Sequence, residues 1–360
     1  MKYNKKIMIC SLFIIISLMI LITINSNSKK TFNYKGSTIA LTVDGNSANS
    51  FPSKGKYNVT IDCNNAKGTW NPKIWKLEIT KITGTVTCDI SFNSNASNLS
   101  DIIDSKGTST THGIRYQGKN PDNYVWFNDE LWRIIGDVPV CLTSGCSSTK
   151  DRVKIIRNDS IGGIKYGIVS NLTWMGSNIQ NLLNTCYLGK TSSCDSYCYS
   201  SSTTAKGTCD YSSDGIDTSD YYGQMIEDVY FNVGVPSSGS YANADDQYTK
   251  ETASYASTTS KIGLMYASDW GYAIEGFTEV LGSSGKPQNS SDKNWLFSNG
   301  YEWTMSAYSS LYPLYVFNAG YLLSDSASEG CAARPVLYLK SGVYVTGGTG
   351  TKVDPYRIGM

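Results

Sequence analysis

Histidine, the side chain that most often transfers protons in enzymes, occurs once in this chain of 360 residues. The one histidine, His112, lies in the sequence Thr-Thr-His-Gly, and no motif places a nucleophile beside it. A His-rich metal site is therefore excluded, and a Ser–His or Cys–His pair would depend on this single residue. Acids such as Glu275 and Glu279 could act as in a glycosidase, but the sequence does not fix their separation. We predict no catalytic residue, no metal site and no cofactor, and a turn or surface role for His112.

An acidic loop in the middle of the chain partly resembles a calcium loop, in which spaced oxygen ligands surround a glycine turn. The residues concerned are Asp210, Ser212, Asp214, Gly215, Asp217 and Asp220. Position twelve, which is Glu in an EF-hand, is Tyr221 here. We therefore interpret the loop as the acidic cap of a helix that begins at residue 218.

The best candidate for a binding surface is residues 307–330, AYSSLYPLYVFNAGYLLSDSASEG. Tyrosine supplies rigid aromatic area at a low cost in entropy, and serine supplies hydrogen bonds, so both suit recognition surfaces. The alternative is that these tyrosines lie in the core with their hydroxyls hydrogen-bonded. Strand alternation would bury some of them, since Tyr315 and Val316 must face opposite ways. The candidate ligand-binding residues are Tyr308, Tyr312, Tyr315, Asn318 and Tyr321.

Two further kinds of residue are more easily explained by structure than by chemistry. Arg334 precedes Pro335 in an apolar strand, where a buried guanidinium needs a carboxylate partner, so we predict a structural clamp. The tryptophans of the same region could stack on sugars, but large rings of this kind are usually core residues. A core position is therefore predicted for Trp126, Trp132, Trp270, Trp295 and Trp303.

The N-terminal segment and the cysteines indicate an exported protein. Residues 7–24 are eighteen uncharged residues preceded by three lysines, a pattern that predicts a transmembrane helix with a cytoplasmic start and an extracellular body. A cleaved signal peptide is the alternative. Residues 1–30 carry five lysines and no acid, which leaves 26 basic and 30 acidic groups in the remainder. Such a weakly acidic body argues against nucleic acid as a partner.

Nine cysteines follow the N-terminal segment, and in an oxidising space most of them should form disulfides. Because nine is odd, at least one thiol stays free or pairs between chains. For Cys331 a free buried thiol and a bridge to Cys186 are both open. Disulfides are predicted for Cys63, Cys88, Cys141, Cys146, Cys194, Cys198 and Cys209.

The pattern of residues predicts four parts along the chain. Residues 1–30 are the anchor, and residues 31–93 are short alternating strands that form a small β-sandwich. A Cys–Trp–Cys order there favours an immunoglobulin-like module, with a generic stapled β module as the alternative. Residues 94–111 read as a linker, and residues 112–360 form a larger domain.

The larger domain is predicted to be α+β, with few helices on a loop-rich β scaffold. Residues 124–138 indicate two strands around the turn Asn128–Asp129, and further strands are indicated at residues 152–158 and after residue 260. Helices are predicted at residues 173–184, with Thr173 as N-cap, and at residues 218–230, where Met225, Ile226 and Val229 would form the inner face.

Six stretches of this domain resemble a known family: GIRYQGKNPDNYVWFNDELWRIIG (113–136), RVKIIRNDSIG (152–162), KIGLMYASDWGYA (261–273), NWLFSNGYEWTMS (294–306), ARPVLYLKSGVYVTGGTGT (333–351) and DPYRI (354–358). The family is one of exported surface proteins of Gram-positive gut bacteria and wall-less relatives, classed as a domain of unknown function. The order Trp–x–Met–Ser, a variable stretch and Arg–Pro–Val also resembles C-type-lectin-like folds, including formylglycine-generating enzymes and retroelement-diversified receptors. The resemblance implies architecture and location, and it implies no activity.

The expected function is binding rather than catalysis. An anchored protein with a β module as stalk and a C-type-lectin-like head would recognise a glycan or a protein, in adhesion for example, through residues 307–330. Its expected partners are the membrane, through residues 7–24, and that ligand. The alternatives are an extracellular enzyme on the same scaffold, such as a glycan hydrolase or a thiol-dependent oxidase, and a structural envelope protein without a soluble ligand.

Overall fold

The computed structural model describes two compact units. The N-terminal unit comprises the described residues up to Ser97, with Val345–Gly347 and Gly359, and the C-terminal unit comprises the rest from Asn98 onward. None of the helices in the described residues is long and apolar enough to cross a membrane, and the predicted segment 7–24 lies outside them. The described residues are 32–34, 37–167, 174–192, 194, 209–234, 240–276, 278–282, 292–309 and 312–360.

The N-terminal unit is a five-stranded sheet and a two-stranded hairpin. Its strands are β1 (Phe32–Tyr34), β2 (Ser37–Val43), β3 (Asn46–Ser47), β4 (Asn58–Asn64), β5 (Lys67–Asn71), β6 (Lys76–Thr80) and β7 (Thr87–Asn93). The sheet has the order β1-β2-β7-β4, with β3 paired to β2, and β2 runs parallel to β7. The hairpin β5–β6 contributes Trp70 to the core, where its ring lies 4.8 Å from that of Phe92 in an edge-to-face arrangement.

The disulfide of this unit joins Cys63 to Cys88, as the sequence predicts. The two residues are directly paired across the neighbouring antiparallel strands β4 and β7. An immunoglobulin bridge instead joins two facing sheets. The immunoglobulin-like interpretation is therefore wrong in this respect, because the disulfide joins two neighbouring strands of one sheet.

The C-terminal unit is built mainly of strands, with few helices, so the mixed fold class predicted from the sequence agrees with the structure at that level. A large sheet has the order β14-β19-β12-β11-β10-β21-β20, with β9 paired to β11 and to β8. A second sheet has the order β13-β18-β15-β16-β17. The strands of these sheets are β8 (Thr108–Thr110), β9 (Gly113–Arg115), β10 (Tyr124–Phe127), β11 (Glu130–Cys141), β12 (Thr149–Arg157), β13 (Gly163–Lys165), β14 (Ile262–Gly263), β15 (Glu302–Ala307), β16 (Pro313–Val316), β17 (Leu322–Ser324), β18 (Gly330–Ala332), β19 (Val336–Tyr338), β20 (Tyr344–Gly347) and β21 (Tyr356–Gly359). Residues Val345–Gly347 of β20 and Gly359 of β21 are the ones grouped with the N-terminal unit.

Four α-helical segments lie in the described part of this unit: α1 (Leu99–Lys106), α2 (Asn178–Asn181), α3 (Ala244–Glu251) and α4 (Ala267–Tyr272). The first of them corrects the linker predicted for residues 94–111. Leu99 and Ile103 are fully buried on one side of α1, and the side chain of Asp101 accepts a hydrogen bond from the Asn98 backbone in a capping box. A polar composition concealed two apolar residues at helical spacing, which is enough for a short helix to dock.

The two predicted helices have different outcomes. The first begins at Asn178 with Ser177 as its cap and continues through Leu182–Cys186 as a π-helix, while Thr173 lies outside the described residues. The predicted helix 218–230 is wrong, because only Gly223–Met225 is helical, in a 3-10 turn. Ile226 and Val229 are buried as predicted, but through isolated bridges to Leu339 and Ser260.

Candidate functional site

The predicted binding segment, residues 307–330, begins at the last residue of β15 and contains β16 and β17. These strands are antiparallel neighbours, and Trp303 of β15 pairs directly with Tyr315 of β16. Side chains of directly paired residues lie on the same face of a sheet. The Trp303 and Tyr315 rings accordingly meet edge to face, with centroids 5.8 Å apart.

A series of rings continues from this buried pair toward solvent. Centroids of Tyr315 and Tyr301 are 6.1 Å apart, those of Tyr301 and Phe317 are 5.3 Å apart, and those of Phe317 and Tyr321 are 5.1 Å apart. Exposure rises from 5% at Tyr315 to 45% at Tyr301, and the rings of Phe317 and Tyr321 are half-buried. We call Tyr315, Tyr301, Phe317 and Tyr321 the tyrosine row.

The other three predicted residues lie apart from the tyrosine row in different ways. The ring of Tyr308 stacks at a tilt on Tyr241, with centroids 5.0 Å apart. Tyr312 is 44% exposed, and Asn318 is exposed next to Phe317. The structure thus joins Tyr315 and Tyr321 through Phe317 and Tyr301, and it places Tyr308 in a second aromatic pair.

Sequence reasoning missed Tyr301, Phe317 and Tyr241 as members of this surface. For the first two a signal was available, because Tyr301 and Trp303, like Tyr315 and Phe317, are two residues apart and so share a strand face. Nothing in the local sequence of Tyr241 indicates its contact with Tyr308, because the two are far apart in the chain.

The carboxylate of Asp325 lies near the buried end of the tyrosine row. Burial raises the pKa of Tyr315 to about 12, and the carboxylate of Asp325 adds to the effect. Asp325 and Glu329 are both exposed close to this region. A surface of aromatic rings with a carboxylate nearby favours a neutral ligand over an acidic one.

Arg334 holds both ends of the stretch together, as the sequence predicts. Its Nε donates to Glu302 Oε1 at 2.6 Å and its Nη2 donates to Glu302 Oε2 at 3.0 Å, with both side chains almost completely buried. Nη2 also donates to the Leu296 carbonyl at 2.5 Å. The fork geometry fixes the start of β15 against the segment before β19, so the variable stretch between them begins and ends on a rigid base.

A second buried charge cluster lies at the start of α4. The Asp269 carboxylate accepts hydrogen bonds from Arg115 Nη1 at 2.7 Å, from Lys154 Nζ and from the Tyr266 backbone at 2.9 Å. Burial opposes ionisation of Asp269, but the two cations outweigh it and hold its pKa below its usual range. Each of these three buried charges has a partner of opposite sign, which is how such groups are tolerated in a core.

The tryptophan prediction is confirmed for four of the five residues and wrong for one. Trp132, Trp270, Trp295 and Trp303 are buried, whereas Trp126 is 38% exposed. Trp126 lies on β10, between Val125 and Phe127, which are both fully buried. Strand alternation therefore turns the Trp126 ring outward.

The cysteines form bridges at Cys63–Cys88, Cys141–Cys146 and Cys186–Cys194. Cys209 is also disulfide-bonded, and the predicted bridge residue Cys198 lies outside the described residues. Cys331 is a free buried thiol, and burial followed by nearby carboxylates raises its pKa to about 12. Because the thiolate is the reactive form, Cys331 is a poor nucleophile at neutral pH.

The acidic loop and His112 take structural positions. Asp210 accepts a hydrogen bond from the Ser212 backbone at 2.9 Å, and Asp217 accepts one from the Ser219 backbone at 2.8 Å, so both carboxylates fix turns. No group of residues able to hold a metal ion occurs in the described part of the chain. His112 lies in the turn between β8 and β9, as predicted, and stacks on Tyr248 with centroids 3.9 Å apart.

The groups that the tyrosine row offers are those of contact and hydrogen bonding. It offers ring faces, ring edges and phenolic hydroxyls, and its one nearby thiol is buried. Partly exposed rings stack on flat, weakly polar ligand surfaces, and the hydroxyls add hydrogen bonds. Comparison of the chain with protein-family models, with curated proteins and with solved structures gives no match.

Proposed function

We propose that this chain is a membrane-anchored extracellular binding protein that recognises a glycan through the tyrosine row. The observation that carries the proposal is the rise in exposure from Tyr315 to Tyr301 along a continuous series of ring contacts. In this series a buried ring, Tyr315, supports an exposed one, Tyr301, and two half-buried rings lie beside it. Rigid aromatic anchors of this kind supply contact area without losing much conformational entropy on binding.

A C-type-lectin-like fold for the C-terminal unit is part of the same proposal. It is supported by the Arg334–Glu302 ion pair, which ties the Trp-containing strand β15 to the Arg–Pro–Val segment. Residues 307–330 then connect two segments that the Arg334–Glu302 ion pair holds in place. Sequence changes in such a connecting segment alter the surface and leave the scaffold intact.

A glycan array probed with the detergent-solubilised full chain tests this function. We expect binding to neutral glycans, and we expect the double substitution Tyr301→Ala and Tyr321→Ala to weaken it at least about tenfold, because both rings are anchors. Trp126→Ala is the matched control, since it removes an exposed ring from another strand. Absence of binding to any glycan, or equal loss in the control, would contradict the proposal.

A protein ligand is the alternative that the same surface would serve. In that case the glycan array stays blank and a protein partner loses affinity with the same double substitution. A thiol-dependent oxidase is disfavoured by Cys331, whose burial keeps the thiol protonated.

A further inference from the structure

A cleft of about 340 Å³ opens in the C-terminal unit, formed by residues that the tyrosine row does not use. It lies between the turn after β8, the first turn of α3 and the end of α4. Its size is near the lower end of the range for small-molecule sites, about 300–1,000 Å³. The polar side chains that line it are Thr110, Gln117, Asn243, Asp245, Tyr272 and Thr278.

Tyr272 and Asp245 are held in place before any ligand arrives. The Tyr272 ring is 7% exposed and lies under the Arg115 guanidinium, which is 4.5 Å from the ring centroid. Arg115 is in turn fixed by its ion pair with Asp269. The Tyr272 hydroxyl donates to Asp245 Oδ1 at 2.5 Å, so a buried charge cluster sets the position of an exposed carboxylate. Preorganisation of this kind lowers the entropic cost of binding.

The chemistry of the lining favours hydroxyl groups over charged groups. Asp245 is the one charged residue in the lining within the described part of the chain. Its Oδ2 has no hydrogen bond there, and Gln117 donates its Nε2 to the Tyr272 carbonyl, which leaves its Oε1 as an acceptor. Threonine hydroxyls both donate and accept. An anionic ligand would meet the Asp245 charge with no cation among the described residues of the lining, whereas a neutral polyol matches these acceptors and donors.

We propose that this cleft is a second binding site, which takes one neutral sugar unit and uses the Asp245 carboxylate to accept hydrogen bonds from its hydroxyls. Ile274, a buried residue of the lining, supplies an apolar surface for the C–H face of the sugar. The site shares no residue with the tyrosine row, so it can exist whether or not that row binds a glycan.

Saturation-transfer NMR and calorimetry with the full chain and the methyl glycosides of glucose, galactose and mannose test the proposal. We expect at least one of these neutral glycosides to bind, and glucuronic acid to bind more weakly than glucose. Asp245→Asn should weaken binding about tenfold, because hydrogen bonds to a charged acceptor are stronger than those to a neutral one. Glu279→Gln is the control, since it removes an exposed carboxylate beside the lining and should change the affinity less than twofold.

Tyr272→Phe provides an independent arm, because it keeps the ring under Arg115 and removes only the hydroxyl that holds Asp245. It should weaken binding even if Asp245→Asn does not fold. The proposal is overturned if no neutral glycoside binds, if glucuronic acid binds best, or if folded Asp245→Asn and Tyr272→Phe both bind like the original chain. Tyr301→Ala with Tyr321→Ala should leave this binding unchanged, which separates it from the function of the tyrosine row.

Discussion

Arg334 and Glu302 show how a pair of side chains fixes the position of backbone segments in this protein. Their two parallel hydrogen bonds lie away from solvent, and Ser298 adds a third to Glu302 Oε2 at 2.9 Å. Buried ion pairs contribute little net stability compared with apolar residues of similar size. What they supply here is a fixed geometry, because the fork of Arg334 can meet the carboxylate in one orientation only.

Asp137 is a residue at which we expect stability to depend on pH. Burial, followed by the carboxylates of Asp151 and Asp104, raises its pKa to about 6. The unfolded chain has a value of about 3.9, so the folded state binds this proton more tightly. Its contribution to stability is therefore fully present below pH about 4 and is lost as the pH rises toward about 6.

The measurement is urea unfolding of the original chain and of Asp137→Asn between pH 4 and pH 8. We expect the substituted chain to gain stability relative to the original between pH 4 and pH 6 and to keep that advantage at pH 7. Glu279→Gln, at an exposed site, should follow the original chain throughout. Parallel curves for Asp137→Asn and the original chain would show that this carboxyl does not titrate as described.

At the scale of elements, α1 shows that two buried side chains can be enough to hold a short helix in place. Leu99 and Ile103 are four residues apart and fully buried, while Asp101 and Lys106 lie at the helix ends favoured by the helix dipole. A helix of eight residues is not stable alone in water, so its packing must stabilise it.

Ile103→Ala tests whether this packing stabilises the C-terminal unit. Truncation of a fully buried isoleucine leaves a cavity, and we expect a loss of about 3 kcal/mol in the free energy of unfolding. Val353→Ala is the control, because Val353 is 80% exposed and its truncation should cost less than about 0.5 kcal/mol. Equal effects of the two substitutions in urea unfolding would show that residues 99–106 act as a linker after all.

Periodicity in the sequence predicted burial better than it predicted conformation. Met225, Ile226 and Val229 are buried as the helical pattern at 218–230 implies, yet their bridging partners, Leu339 for Ile226 and Ser260 for Val229, lie far along the chain. The same limit applies to the candidate site. Residues 307–330 included Tyr315 and Tyr321, but the contact of Tyr301 with Phe317 depends on the pairing of β15 with β16, which local sequence does not specify.

At the scale of the whole molecule, the bridges Cys141–Cys146 and Cys186–Cys194 suit the oxidising space outside the cell, which the proposed anchor would reach. Ile15→Lys places a charge at the centre of the proposed anchor, where insertion costs about 3 kcal/mol. We expect this substitution to release the chain from the membrane fraction and to protect it from protease added to intact cells. Ser26→Lys, beyond the apolar run, should leave membrane association and protease access unchanged. Membrane association that survives Ile15→Lys would contradict the anchor.

The parallel pairing of β10 with β21 has a consequence for the order of events during synthesis. Val125 pairs with Tyr356, and Trp126 pairs with Arg357. The large sheet is therefore complete only when a strand near the end of the unit pairs with a strand near its start. Contacts between such distant residues form slowly, because a long loop must close first. The large sheet therefore cannot be completed while the ribosome still holds the last strand. In whichever compartment the unit folds, its largest sheet is among the last parts to form.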